Sequence, residues 1–467
     1  MTTTPPVAHQ PSGDWTAPLA QTITGTVLTP DQPGFAQACA TYNLSVTHSP
    51  AAVVQAADAT DVQEAVRFAK HHGLPVAVIA TGHQPIAPAR DCVLIRTSKL
   101  DSITVDPVRR TARIGAGARW RQIVDETTKF GLAPLCGSSP TVAAAGFILG
   151  GGISPLMGRS YGWAADHVTA VEIVTADGSL RRATATSDPD LFWAVRGGKS
   201  NFGVVTSLEI GLFSVGTFFG GGLYYAGDHA AEVLHAYRKL TENAPEELNT
   251  SVALLRLPPL PQVPTELRGK LTVHVRVCHL GSAEEGETLL APLRAAAPRL
   301  IDTVTLTPFA EFDRVHQDPV DPVAYEERSA MLSTLPAEAI EVLVDLAGPQ
   351  SNSGISLLEI RHLEGAFNRL PQIPNAVGNR DVSASVWGAV MGTPDEQKIG
   401  LENLQKILDR LTPWQASHKY LNFMSGHDPV EEAYTPEVLN RLQMVKRAYD
   451  PDNVFRVNNH NILPKNL

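Results

Sequence analysis

Residues 60–72 carry Val62, Ala65, Val66 and Ala69 at three- and four-residue intervals, between a cap at Thr60 or Asp61 and a stop at Gly73. That spacing puts the apolar side chains on one stripe and predicts an amphipathic helix. Residues 74–80 are apolar almost throughout and predict a buried strand, followed by a strand at 92–97 and a hairpin pair at 100–105 and 111–114. Helical spacing returns over 118–130, with Ile123, Val124 and Phe130 inward and Gly131 at the end. Strands follow at 168–176 and 179–185, joined by the tight turn Asp177-Gly178, and then at 201–213. Beyond about residue 216, strands at 270–280, 354–364 and 381–390 interleave with helical stretches at 230–240, 282–297 and 395–411. A last helix opens at Thr435 with Pro436 in its first turn and stops at Asp450-Pro451. The pattern predicts an α+β fold, its later strands forming one antiparallel sheet with helices on one face.

Composition narrows the partners. A chain of 467 residues is too long for one core, so several domains are expected. The net charge of -10, with no basic run to offset it, disfavours nucleic acid and anionic membranes and leaves small molecules. Cys39, Cys92, Cys136 and Cys278 have neither metal-ligand spacing nor the density of a disulfide scaffold, which suits a reducing cytoplasm; no metal site is expected. Residues 1–21 lack a basic segment leading into an apolar one and read as a flexible tail rather than a leader, so a cytoplasmic location is expected. No apolar run reaches the roughly twenty residues that span a bilayer.

Three motifs point away from the chemistry they suggest. Gly115-Ala-Gly117 lies between a strand and a helix, but Trp120 stands where a dinucleotide fingerprint needs its third glycine. Gly198-Lys199-Ser200 ends like a phosphate loop whose first glycine is Trp193 here. Gly158 to Gly162 has the letters of a nucleophile elbow without a strand leading into it.

A second set coheres. The strand at 74–80 runs into Thr81-Gly82-His83, and downstream stand Ser138-Ser139-Pro140-Thr141-Val142 and then Gly146, Gly150, Gly151 and Gly152. Loops without side chains let backbone N–H groups approach phosphate oxygens closely. A histidine in such a turn is ordinarily a turn residue. In this company the chain resembles the berberine-bridge-enzyme-like branch of the FAD-linked vanillyl-alcohol oxidase superfamily, and is similar to the hydroxynicotine oxidases. Arg196-Gly-Gly-Lys199-Ser-Asn201-Phe202-Gly203-Val204 resembles that family's Arg-Gly-Gly-Gly-x-Asn-Phe-Gly-Val, Tyr161-Gly162 with Ala165-Asp166-His167-Val168 resembles another of its motifs, and residues 449–456 match its C-terminal closure.

The resemblance implies a two-lobed PCMH-type FAD-binding domain at 22–215, a substrate domain at 216–414 whose antiparallel sheet is covered by helices, and a segment at 415–467 returning to the first domain. It implies FAD attached through its 8α-methyl to His83, with Thr81, Gly82, Ser138, Ser139, Thr141, Val142, Gly146, Gly150, Gly151, Gly152, Asn201, Phe202, Gly203 and Val204 around it. Asn459 and Asn461 join them from a C-terminal motif one residue longer than the family's. Ser139 stands where doubly linked relatives carry a cysteine, and Cys136 lies three residues early, so one covalent bond is expected. Val142 occupies the position that gates oxygen, where valine goes with oxidases.

On the substrate side, Tyr420 and Asn422 match the family's Tyr-x-Asn, with Tyr420 as the expected base. Alternation puts Glu359 and Arg361 on one face of their strand and Leu358, Ile360 and His362 on the other; Ser383, Ser385 and Trp387 share a face of the next. These are candidate substrate contacts, and a buried structural face is the competing reading. The expected activity is hydride transfer from a secondary-metabolite alcohol, amine or phenol to flavin, with O2 reduced to H2O2, in a monomer or homodimer. Flavin-dependent oxygenation or rearrangement of a polyketide-like substrate, and a flavin-carrying protein without turnover, are the alternatives.

Overall fold

The computed structural model describes residues 15–84, 87–426, 428–458 and 460–463. Its strands form three sheets, in an α+β arrangement. The smallest joins Ala52–Gln55, Val93–Arg96 and Val76–Ile79 in parallel, with Thr26–Leu28 antiparallel at one edge. The predicted helix appears as Ala59–His71 and lays Val62, Ala65, Val66 and Ala69 into the core beside this sheet. Its cap is Asp58, whose carboxylate accepts from the N–H groups of Thr60 and Asp61.

A second, antiparallel sheet of five strands runs Ile103–Asp106, Thr111–Gly115, Val204–Gly211, Val168–Val174, Leu180–Ala183. The third carries the substrate-side candidates. It is antiparallel and runs Arg299–Asp302, Thr217–Ala226, Leu271–His279, Leu248–Arg256, Leu357–His362, Ala384–Met391, Tyr325–Leu332, with Thr305–Pro308 also on Thr217–Ala226. On one face Val252, Leu254, Val273, Val275, Leu358, Ile360 and Val386 pack under the helices Ala230–Thr241, Ala283–Ala296, Ala337–Ala347 and Pro394–Leu411. The opposite face presents Arg276, Glu359, Arg361, Trp387 and Glu327 to a cavity. Period-two alternation thus separates an apolar core from a chemically loaded wall.

The C-terminal stretch braces the first sheet. Buried Asp450 accepts from Lys446 Nζ at 2.5 Å and from the N–H groups of Val454 and Phe455 at 2.7 and 2.9 Å. Val454 then accepts from Val76 N–H at 2.9 Å, alongside the strand that leads to His83.

The structure corrects the tail reading. Residues 1–14 lie outside the described residues, but Ala17–Thr22 is a helix with Leu19 buried, and Trp15 stacks on Phe68. Apolar Leu19 and Trp15, spread through a polar stretch, gave no periodic signal. The strands Thr217–Ala226, Leu248–Arg256 and Tyr325–Leu332 and the helices Pro189–Gly198 and Ala337–Ala347 were also not anticipated. Thr217–Ala226 holds three consecutive glycines, and Tyr325–Leu332 has charges on both faces, features that mask a strand. No helix among the described residues is long and apolar enough to cross a membrane.

Candidate active site

The parallel strand Val76–Ile79 delivers the chain into Thr81, Gly82 and His83. Gly82 has φ +68°, and a Cβ there would lie 2.7 Å from Thr41 Cβ, so the turn closes on its neighbour only as glycine. Tyr42 N–H donates to Thr81 O at 3.0 Å and Asn43 N–H to Gly82 O at 3.1 Å, which fixes the turn through backbone alone. The His83 ring stacks on Tyr42 with centroids 3.8 Å apart. Its Nδ1 is 3.0 Å from Thr81 Oγ1 and its Nε2 3.1 Å from Thr141 Oγ1. Burial, helped by the charge of Arg119, lowers its pKa to about 3, so the imidazole stays neutral with one nitrogen lone pair in hand. Either hydroxyl can donate or accept, and so either nitrogen can be that one.

His83 opens onto a cavity of about 400 Å³ between the loops of the two smaller sheets and the loaded face of the large one. Thr81, Gly82, Ser138, Ser139, Val142 and Gly146 line it beside His83. The loop carrying the serines is tied to the helix Trp120–Thr127, since Trp120 N–H donates to Val142 O and Arg121 N–H to Pro140 O, both at 3.0 Å. A Cβ on Gly146 would meet no protein atom within 4 Å and would stand in the cavity. Cys136, by contrast, is fully buried in the core, its thiol pushed far up by desolvation.

Several predicted cofactor residues make contacts within the protein. Gly150, Gly151 and Gly152 do not line the cavity; a Cβ on Gly150 would fall 2.1 Å from Asn422 Oδ1, and one on Gly152, at φ +77°, 2.6 Å from Ala164 Cβ. At these positions the absence of a side chain permits close packing against the Tyr-x-Asn segment and its surroundings. Thr141 reaches His83 without reaching the cavity. Asn201 is buried and spends its amide on Gly198 O, His460 O and Ile462 N–H, stitching the C-terminal stretch in place. Phe202 and Val204 are core residues, whereas Gly203 and Lys199 face the cavity. Asn461 bonds to Leu463 and lies off the cavity; its neighbour His460 lines it, and Asn459 lies outside the described residues.

Tyr420 and Asn422 come together as the motif suggested. The phenol oxygen of Tyr420 accepts from Gly152 N–H and Ile153 N–H, both at 3.1 Å, and from Asn422 Nδ2 at 2.9 Å. Burial raises this phenol above its ordinary value, and the three donors pull the other way. Of the substrate candidates, Glu359, Arg361 and Trp387 line the cavity. Ser383 and Ser385 do not: Ser383 donates to Glu364 Oε1 at 2.9 Å, and Ser385 is buried opposite Arg361 and Met331. Glu359 is clamped by Arg276 Nη1 at 2.8 Å and Arg361 Nη2 at 2.9 Å. Burial would raise its carboxyl, but the two guanidiniums win and hold it well below the usual carboxylate range, which disqualifies it as a proton acceptor.

Lys199 and Glu327 are among the cavity residues that the sequence candidates missed, with Arg276, His316, Asp318 and Tyr325. Lys199 donates to Gln84 Oε1, and burial lowers its pKa to about 7. Glu327 accepts from Trp387 Nε1 at 2.6 Å, and burial raises its pKa to about 7. Lysine in place of the motif's glycine was the available signal for the first; nothing local marked the second.

Comparison with known proteins places this geometry. A family model described as "FAD binding domain" matches residues 50–184, and one described as "Berberine and berberine like" matches residues 419–462. The (R)-6-hydroxynicotine oxidase of Paenarthrobacter nicotinovorans is 30% identical over 457 residues, covering 95% of this chain and 97% of that protein. The chain belongs to the berberine-bridge-enzyme-like FAD-linked oxidoreductases. An FAD-dependent monooxygenase of Cochliobolus heterostrophus is 25% identical, covering 87% of this chain and 83% of its own. The crystal structure of 6-hydroxy-D-nicotine oxidase from Arthrobacter nicotinovorans superposes with a TM-score of 0.82 at 27% identity, over 96% of this chain and 99% of that one. Membership brings FAD binding and oxidoreductase activity, and the neutral histidine, the serine-rich loop and the open space beside Gly146 fit a flavin there.

Proposed function

We propose that the chain is an oxidase carrying FAD on a single covalent bond through His83, and that it oxidises a small secondary-metabolite amine, alcohol or phenol. The observation that carries the reading is the neutral, cavity-facing His83 held between Thr81 and Thr141, with Cys136 sealed in the core. FAD held beside His83 would supply two-electron oxidising chemistry, with O2 as the terminal acceptor. The chain supplies the rest: Tyr420 stands as acceptor for the heteroatom proton, and the backbone donors of Gly152 and Ile153 with Asn422 stabilise the phenolate form. The apolar flank of the cavity, including Phe147, Leu149 and Phe423, keeps water off the reacting carbon.

The test is incubation of purified protein with a panel of amines, alcohols and phenols, reading H2O2. Substrate-dependent peroxide in stoichiometric amount supports the oxidase. Incorporation of oxygen into the product without peroxide would move the reading to oxygenation. No turnover with any compound would favour a carrier.

Val142 is the point at which oxygen handling is tested. It lines the cavity and its carbonyl is pinned by Trp120 N–H, so an added methyl cannot be relieved by backbone movement. Val142→Ile is expected to slow reoxidation in air by about tenfold, a barrier rise of ~1.4 kcal/mol. Stopped-flow reoxidation at the parent rate would take this residue out of the mechanism.

A further inference from the structure

Glu327 lies on the cavity face of Tyr325–Leu332 and is only 3% exposed. One carboxylate oxygen takes the indole N–H of Trp387; the other, Oε1, has no hydrogen-bond partner among the described residues. The cation facing it is Lys199, which donates to Gln84 and makes no ion pair with it among the described residues. Glu326 on its own strand and Asp428 add negative charge, and Asp428 is itself paired with Lys419 at 2.5 Å. The guanidiniums of Arg276 and Arg361 are committed to Glu359. Aromatic side chains line the same cavity: Tyr325 two residues earlier on the same face of the strand, Trp387, whose indole N–H bonds the other carboxylate oxygen, and Phe423, which lies 5.8 Å from Trp387 and 4.9 Å from Tyr420 by ring centroids.

A bare carboxylate oxygen in a cavity lined by aromatic side chains is the chemistry that recognises an ammonium group, by charge pairing and by attraction of the cation to the ring quadrupoles. We propose that Glu327, with Trp387, Tyr325 and Phe423, forms a subsite for the protonated nitrogen of an amine substrate. The inference rests on reading this cavity as the substrate site and narrows its substrate class from alcohols, amines and phenols to amines. Charge supports it in a pH-dependent way. Burial pushes Glu327 up and Lys199 down, each to about 7, so the alkaline side favours charged Glu327 beside neutral Lys199 and the acid side the reverse. A cation is therefore attracted on the alkaline side and repelled on the acid side.

The test is isothermal titration of the flavin-loaded protein with three probes of one shape: N,N-dimethylbenzylamine, benzyl alcohol and benzoate. At about pH 8 the parent protein is expected to bind the amine at least about tenfold more tightly than the alcohol. Glu327→Gln keeps an acceptor for Trp387 and is expected to abolish that preference while leaving the alcohol's affinity unchanged. Lowering the pH to about 6, where the amine is still protonated, is expected to erase the preference in the parent protein. Equal binding of amine and alcohol by the parent, or an amine preference that survives in Glu327→Gln, overturns the subsite. If the variant does not fold, the pH arm decides on the parent alone, and an amine preference that is flat or grows toward acid overturns it. Because binding heat needs no turnover, failure of the peroxide assay and failure of this subsite are separate results.

Discussion

Replacement of His83 by alanine is expected to abolish acid-stable flavin, leaving a protein from which all yellow colour is lost on acid precipitation. The expectation follows from the state of the ring. An imidazole with its pKa lowered to about 3 is neutral throughout the working range, so a nitrogen lone pair is available to form the bond without prior deprotonation. No cysteine competes for the flavin: Cys136 is buried in the core and its thiol is pushed far up, and Ser139 cannot form a thioether. The variant should still fold, because the turn is held by Tyr42 N–H and Asn43 N–H on backbone carbonyls and loses the stack on Tyr42 and the ring's hydrogen bonds to Thr81 and Thr141. Circular dichroism checks that. Mass spectrometry of the parent peptide containing His83 is the decisive measurement: absence of a flavin adduct there, or its presence on the Cys136 peptide, sinks the single-bond reading. Flavin attachment in the parent should be insensitive to pH between about 6 and about 8, since the ring titrates far below that window.

How far the sequence carried this site depended on whether a residue's role was local. The helix at 59–71 and the strand at 76–79 were legible because burial on one face writes a period into the chain, and Thr81-Gly82-His83 followed from a strand ending in a glycine turn. The alternation along 357–362 placed Glu359 and Arg361 on the cavity face correctly, yet gave no hint that two arginines lock the glutamate, since Arg276 comes from a strand some eighty positions earlier. Gly150 to Gly152 show the converse limit. A run of glycines announces a close approach but not what approaches, and here it is Asn422, Trp163 and Ala164. Asn201 matched its motif while serving the C-terminal stretch through two hydrogen bonds, to His460 O and from Ile462 N–H. Glu327 was invisible because Tyr325–Leu332 bears charge on both faces in its first half, so the strand reads as a solvated edge until the large sheet is assembled.

Tyr420→Phe is expected to slow anaerobic flavin reduction by roughly 10²-fold or more while leaving flavin attached, the size typical of a lost general base. The hydroxyl is the acceptor of three donors, from Gly152, Ile153 and Asn422. A neutral phenol offers two lone pairs and must also place its own proton, whereas a phenolate takes all three donors, so the donors offset part of the burial that raises the phenol's pKa above its ordinary value. The sign for pH follows: a base whose pKa lies above about 10 is mostly protonated near neutrality, so the parent rate should climb with pH toward that value without levelling. The phenylalanine variant should lose that climb as well as the rate, a signature that mere loss of packing does not give. Asn422→Ala removes one of the three donors and leaves the phenol in place, so it should retain the climb, shifted to higher pH, at an intermediate rate. A Tyr420→Phe enzyme that reduces its flavin at the parent rate across this range would transfer the proton-accepting role to Glu327, because Glu359 is held ionised and fully engaged between Arg276 and Arg361.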